Sequence, residues 1–222
     1  VDLSFLDQLM LNQCPNIEYN VILLNYQLPA WWENALHFAN RIVVADGGAE
    51  QFKLKKRDYI QNCVITGDMD SIQNETLSLL QKQGYQIKKN MDQNTTDCEK
   101  ALNSLDDKIP ILLLGAIGGR LDHTLYNVNL AMKRSNQPIF LINKVNLIFI
   151  VNEKVKIITN QCQNIGIFPF TRSKIKTEGL KWDIDGEIAY GGLLSVSNTV
   201  LHESFMIDTN NAIQIIVTGK FE

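Results

Sequence analysis

Cysteine, histidine and proline are scarce in this chain of 222 residues, with 4, 3 and 5 copies respectively. The cysteines, Cys14, Cys63, Cys98 and Cys162, stand far apart and form no closely spaced pair. That spacing argues against a zinc finger or ribbon and against a disulfide framework. It predicts reduced, mostly buried thiols in a cytoplasmic protein. The histidines are equally scattered, so a histidine-based metal centre is not expected either. No apolar run approaches the length needed to cross a bilayer. The N-terminus carries Asp2 and Asp7 rather than a basic segment and an apolar core, so no secretory signal is expected. Positive charge is not in excess: the formal net charge is -3, which argues against a nucleic-acid binder. A local basic cluster, Lys53, Lys55, Lys56 and Arg57, reads as a solvated helix end. A Walker A ending and a GxGxxG fingerprint are both missing.

What remains is an ordinary globular composition, 45% apolar and 20% charged, long enough for one large domain or two small ones. Strands are predicted at 21–24, 41–45, 63–66, 86–88, 111–116 and 139–142. Helical patterns lie between them, so this part reads as α/β with a mostly parallel sheet. A helix over 74–83 stops at Gly84, and Thr96 with Glu99 fits a capping box opening a helix through Leu105. Asp122 is expected to cap a third helix, whose apolar stripe would be Leu125, Val128, Ala131 and Met132. Beyond about Asn143 the pattern becomes closely spaced strands, at 145–151, 155–159, 164–168, 187–190, 193–196 and 212–217. Turn signals at Asn152-Glu153-Lys154, Asp185-Gly186 and Gly191-Gly192 separate them. This predicts an all-β sandwich or small barrel over 145–222 after an α/β domain over 1–144.

Aspartates recur where apolar runs end. Asp46 follows the second strand, Asp68 and Asp70 the third, Asp92 and Asp97 flank Gln93–Thr96, and Asp122 follows the glycine-rich stretch after the fifth. In parallel sheets the loops at the strands' carboxyl ends share one edge, so these carboxylates should converge. A pair about 4 Å apart repels by roughly 4 kcal/mol at an effective dielectric near 20, which a divalent cation would relieve. Asp68 and Asp70, at i and i+2 on an extended segment, would face one side and address one hard cation. The plainer readings are a polar turn for that pair, a favourable first-turn charge for Asp97 and a helix cap for Asp122. Gly115–Arg120 follows a strand and leads into a helix, so its amides can approach phosphate oxygens, with Arg120 as a forked partner.

Taken together, Asp46-Gly47-Gly48-Ala49, Gly67–Ser71, Asp92–Ala101 and Gly118–His123 resemble, in order and spacing, the signature blocks of thiamine pyrophosphokinase. Gly179-Leu180-Lys181-Trp182 and Gly191–Asn198 look like that family's carboxyl-terminal signature. The resemblance implies an α/β nucleotide domain, a β-sandwich and a homodimer with thiamine bound between subunits. It implies transfer of a pyrophosphoryl group from ATP to the thiamine hydroxyl, giving thiamine diphosphate and AMP. By position, Asp68, Asp70 and Asp97 would hold magnesium, with Asp46 and Asp122 completing the acidic cluster. Either Asp70 or Asp97 would accept the hydroxyl proton. Gln93, Lys100, Gly118, Gly119 and Arg120 would bind ATP, and Trp182, Ser195, Ser197 and Asn198 would line the thiamine pocket. For Trp182 a core aromatic is the competing reading. One departure stands out: Glu50 occupies a place that is usually asparagine in that family. Its carboxylate either adds negative charge near the phosphates or turns away.

Two rivals share some of these features. A nucleotide-sugar glycosyltransferase also uses an Asp-x-Asp motif, but it leaves the Thr96-Asp97 block unexplained. A non-catalytic thiamine or nucleotide binder would keep the pocket and lose turnover.

Overall fold

The computed structural model describes residues 1–52, 59–105, 108–159, 163–219 and 221. The basic cluster at 53–57 and Cys162 lie outside them. Six strands form the parallel part: β1 (Asn20–Leu23), β2 (Arg41–Ala45), β3 (Cys63–Gly67), β4 (Gln86–Lys89), β5 (Ile111–Leu114) and β6 (Ile139–Ile142). Their order is β6-β5-β1-β2-β3-β4, every pair parallel. Successive side chains of β1 and β2 enter opposite cores: Val21, Leu23, Ile42 and Val44 on one face, Ile22, Leu24, Val43 and Ala45 on the other. That two-sided burial is why these strands read as unbroken apolar runs. The order reverses between β1 and β5, which opens a crevice above their carboxyl ends.

The helices are α1 (Ser4–Met10), α2 (Trp32–His37), α3 (Ala49–Phe52), α4 (Asn74–Gln83), α5 (Asp97–Leu102) and α6 (Leu121–Lys133). α4 ends on Gly84 in a left-handed conformation, φ 92°, as its sequence demands. In α5 only half of the capping box forms. Thr96 Oγ1 accepts from the Glu99 amide, while the Glu99 carboxylate accepts from the Tyr126 hydroxyl at 2.7 Å. α5 also stops at Leu102, short of Leu105. α6 departs further from expectation. Arg120 holds its N-cap position and Asp122 lies within the first turn. Its buried face is Asn127, Val128, Leu130 and Ala131, with Leu125 exposed. The helix starts two residues earlier than a cap at Asp122 would place it, and the Asp122 carboxylate is held chiefly by Arg120.

The remaining strands are β7 (Asn146–Val151), β8 (Val155–Ile158), β9 (Asn164–Pro169), β10 (Ser173–Glu178), β11 (Asp185–Ile188), β12 (Ser195–Thr199), β13 (Ser204–Thr209) and β14 (Ile213–Thr218). A hairpin joins β6 to β7, pairing Leu141 with Ile148, so β7, β14, β9 and β12 extend the parallel sheet to ten strands. The expected division at residue 144 falls in that hairpin. β11-β10-β13-β8 form a separate antiparallel sheet, and the two sheets enclose Phe149, Ile165, Ile215, Ile175, Phe205 and Ile207. The fold class is thus an α/β sheet followed by a β-sandwich.

Two sandwich strands have no counterpart in the sequence reading, β10 and β13. The inward residues of β10 are Ser173, Ile175 and Thr177, and hydroxyls at two of three core positions hide the alternation. Asp185-Gly186, expected as a turn, starts β11 instead. Among the described cysteines, Cys63 and Cys98 are buried and Cys14 is exposed. No helix among the described residues is long and apolar enough to cross a membrane.

Phe149 is 2% exposed and packs at a tilt beside Phe140, with ring centroids 5.8 Å apart. Phe149→Ala should cost about 3–5 kcal/mol, read as a lower denaturant midpoint.

Candidate active site

The loops after β1, β2, β3 and β5 surround one cavity of about 930 Å³. Its lining includes Asp68, Asp70, Gln93, Asp97, Lys100, Gly118, Gly119, Arg120 and Asp122. Asp46, fully buried, opens the short 3-10 turn that follows β2. Asp46, Asp68 and Asp70 each offer a carboxylate oxygen, and these oxygens lie within 4.8 Å of one another. The backbone makes this approach possible. Gly67 has φ +148°, and a Cβ there would stand 2.5 Å from the Asp46 Cβ. Met69 is left-handed, φ 69°, so Asp68 and Asp70 meet across a tight turn and not along an extended strand as the i, i+2 spacing suggested. The Asp70 amide donates to Asp68 Oδ1 at 3.4 Å and closes that turn.

Asp46 Oδ2 accepts from the Ser71 amide at 3.2 Å, whereas Oδ1 is buried with no hydrogen-bond partner. Burial raises the Asp46 carboxyl above its ordinary 3.8; the charges of Asp97, Asp68 and Asp70 push the same way, and the Ser71 bond opposes them. Asp68 moves the other way, held down first by the Gln93 amide at 2.9 Å and further by the Asp70 amide and Lys100. Lys100 is buried, with Nζ 3.3 Å from Asp97 and 3.9 Å from Asp68. A buried, unpartnered oxygen beside two further carboxylates fits a hard cation bound through oxygen. The donor set also matches magnesium's preference for a few carboxylates, the other positions going to water and phosphate.

Asp97 and Asp122 are not among the three residues whose oxygens lie within 4.8 Å of one another. Asp97 lines the cavity, but its nearest recorded partner is Lys100. Asp122 does not join the acidic group. Arg120 grips it through Nε at 3.1 Å and Nη2 at 2.5 Å, which lowers its carboxyl to about 2. The glycine-rich loop is shaped by Tyr26, which the sequence reading did not single out. A Cβ on Gly118 or Gly119 would come within 2.4 or 2.5 Å of its ring. The Gly118 amide is already committed to Thr124 Oγ1 at 3.0 Å. No sequence signal marks this contact, which exists only once β1 and β5 are neighbours.

Glu50 turns away from the cavity. Its carboxylate accepts from the Gln73 amide at 2.8 Å and from Thr76 Oγ1 at 3.0 Å, at the start of α4.

Trp182, Ser195, Ser197 and Asn198 lie outside this cavity, on the sandwich. Trp182 is 56% exposed, so it is not a core aromatic. Asn198 is buried and clamps the Trp182 backbone both ways: Oδ1 accepts from its amide at 3.1 Å and Nδ2 donates to its carbonyl at 2.7 Å. Ser195 Oγ accepts from Asn198 Nδ2 at 3.3 Å. Ser197, at φ 54°, sits in the bulge that interrupts β12 pairing with β9.

The family model described as "Thiamin pyrophosphokinase, catalytic domain" matches residues 32–141, and "Thiamin pyrophosphokinase, vitamin B1 binding domain" matches residues 152–213. The chain belongs to the thiamine pyrophosphokinase family. Thiamine pyrophosphokinase 1 of Oryza sativa subsp. japonica is 31% identical, covering 87% of this chain and 84% of that protein. Thiamine pyrophosphokinase 1 of Arabidopsis thaliana is 29% identical, covering 87% and 83%. In structure, thiamin pyrophosphokinase from Candida albicans superposes with a TM-score of 0.81 at 22% identity, covering 90% of this chain and 89% of that one. Neither the glycosyltransferase nor the non-catalytic binder is favoured by these likenesses.

Because burial holds the Asp46 carboxyl above its unfolded value, its contribution to stability falls as pH rises from the ordinary 3.8 through the raised value. Asp46→Asn should therefore raise the Tm of the magnesium-free protein near neutral pH. The gain should vanish on acidification to about pH 4, which a thermal melt series would reveal.

Proposed function

We propose that this chain catalyses pyrophosphoryl transfer from ATP to the hydroxyl of thiamine, releasing AMP and thiamine diphosphate. The buried, unpartnered Asp46 oxygen beside Asp68 and Asp70, which line a cavity that also carries a glycine-rich loop, is the observation that carries this reading. The hydroxyl oxygen bonds to the β-phosphorus, the bond from that phosphorus to the bridging α–β oxygen breaks, and AMP departs with the electron pair. The hydroxyl proton passes to Asp70 or Asp97, both ionisable and both on the cavity wall. Such a reaction depends on alignment and charge neutralisation more than on covalent chemistry by the protein.

Asp68, Asp70 and Asp97, with Asp46, would hold magnesium, which supplies charge neutralisation to the phosphates. Asp122 contributes by orienting Arg120. Gln93 and Lys100 hold Asp68 in place and present donors at the cavity wall, and Gly118, Gly119 and Arg120 meet the ATP phosphates. Arg120 uses two N–H groups on Asp122, leaving the rest of its five donors for phosphate oxygens.

Residues 145–222 are assigned to thiamine binding and dimerisation, and residues 1–144 to nucleotide binding and catalysis. Trp182 stacks on the cationic ring system of thiamine. Ser197 lines the pocket, and Asn198 with Ser195 keeps the Trp182 loop in place. Exposed Trp182, Tyr190, Leu193 and Val196 cluster around β12, the outer strand of the large sheet. Such an apolar edge supports a homodimer in which each sandwich completes the partner's cavity. Scarce cysteines, with Cys14, Cys63 and Cys98 unpaired among the described residues, support a cytoplasmic setting.

Incubation with magnesium, ATP and thiamine should yield AMP and thiamine diphosphate in equal amounts; release of ADP instead would defeat the reading. Asp97→Asn should cut turnover at least about 100-fold with the fold intact by circular dichroism. Near-normal turnover at saturating magnesium would remove Asp97 from the site. Trp182→Ala should weaken thiamine binding more than ATP binding in titration calorimetry, and the reverse order would dismiss the stacking role.

A further inference from the structure

The carboxylate pair Asp68 and Asp70 sits on a turn that would not hold itself. Met69 is a non-glycine residue in the left-handed region, a conformation costing on the order of 1 kcal/mol or more unless the surroundings enforce it. Enforcement comes from the segment after β2. Asp46 takes the Ser71 amide, and four residues later Glu50 takes the Gln73 amide and the Thr76 hydroxyl. Thr76 is buried, so this second bond is shielded from water. Gln51, beside Glu50, donates from Nε2 to the Tyr26 carbonyl at 3.0 Å. Residues 46–51 therefore tie together two walls of the cavity: the metal-facing turn and the loop that supports the glycine-rich stretch.

We propose that Glu50 is a positioning residue that sets the affinity of the Asp46–Asp68–Asp70 group for a divalent cation. It does so by pinning the start of α4 and, through it, the Asp68–Ser71 turn. Glu50 touches neither the cavity nor the reacting atoms. Its carboxylate accepts at the N-terminal end of a ten-residue helix, where negative charge is favourable, so its charge is kept off the phosphates. The inference rests on the reading that this trio holds magnesium. It does not depend on which reaction follows.

The test is a calorimetric titration of magnesium chloride into the full chain, alongside Glu50→Gln and Glu50→Ala, with melts in the absence of magnesium. The glutamine variant keeps an acceptor for the Gln73 amide and a partner for Thr76, so its dissociation constant should stay within about twofold of the parent. The alanine variant loses both bonds and should bind magnesium about tenfold more weakly, as displaced supporting residues do at other metal sites. A purely structural role would lower the melting temperature of the alanine variant and leave its magnesium constant within about twofold, overturning the proposal. Equal weakening in both variants would also overturn it, because charge and not geometry would then be at work. Should the alanine variant fail to fold, Thr76→Val removes one arm at constant shape and should weaken magnesium about threefold; no change would count against the proposal. A parent chain that takes up no magnesium sinks the metal reading and the Glu50 role together. A parent that binds magnesium yet makes no AMP sinks only the proposed reaction.

Discussion

A carboxylate with no exposed surface, Asp46, stands at the end of β2 with two more carboxylates beside it. Burial and the neighbouring carboxylates both oppose the charged form of Asp46, burial more strongly. The compensation shapes the surrounding chain. The Ser71 amide and the Gln93 side chain donate to two of these carboxylates, and Lys100 brings a buried ammonium within reach of Asp68 and Asp97. Gly67 leaves room for Asp46, and the left-handed Met69 swings Asp70 round to face it. One ammonium against four aspartates leaves negative charge in excess, and that excess is what a cation would neutralise.

Much of this arrangement was legible in the chain, because parallel strands buried on both faces announce themselves as apolar runs, and those of β2 and β3 run into Asp46 and Asp68. Where those runs end, the loops must share an edge. Convergence of Asp46, Asp68 and Asp70 followed from topology alone, without knowledge of side-chain geometry. The details that escaped are those set by partners distant in sequence. Asp122 read as a helix cap, but the N-cap position falls two residues before it, at Arg120, which is also its main partner. Tyr26 carried no signal, because its contact with Gly118 and Gly119 exists only once β5 lies beside β1. β10 stayed hidden since Ser173 and Thr177 occupy core positions where alternation would demand apolar side chains.

The two halves of the chain present different surfaces. The parallel half gathers charge and hydrogen-bond donors suited to phosphate. The sandwich presents an aromatic ring whose backbone is locked by Asn198 and whose loop is braced by Asp183, which accepts from the Gly179 and Leu180 amides. A ring held this firmly loses little freedom when a flat ligand covers it. Lys181 already lies over that ring, its Nζ 4.6 Å from the centroid, so a cationic ligand approaching the same face has to displace it.

The hairpin between β6 and β7 bears on motion. Because β7 is hydrogen-bonded to both β6 and β14, swinging the sandwich away from the α/β half would tear a continuous sheet ladder. Hinge bending between the halves is therefore closed to this chain. Any gating of the cavity has to come from its own loops, such as those carrying Tyr26, Gln93 and Gly118, moving over a rigid floor of strands.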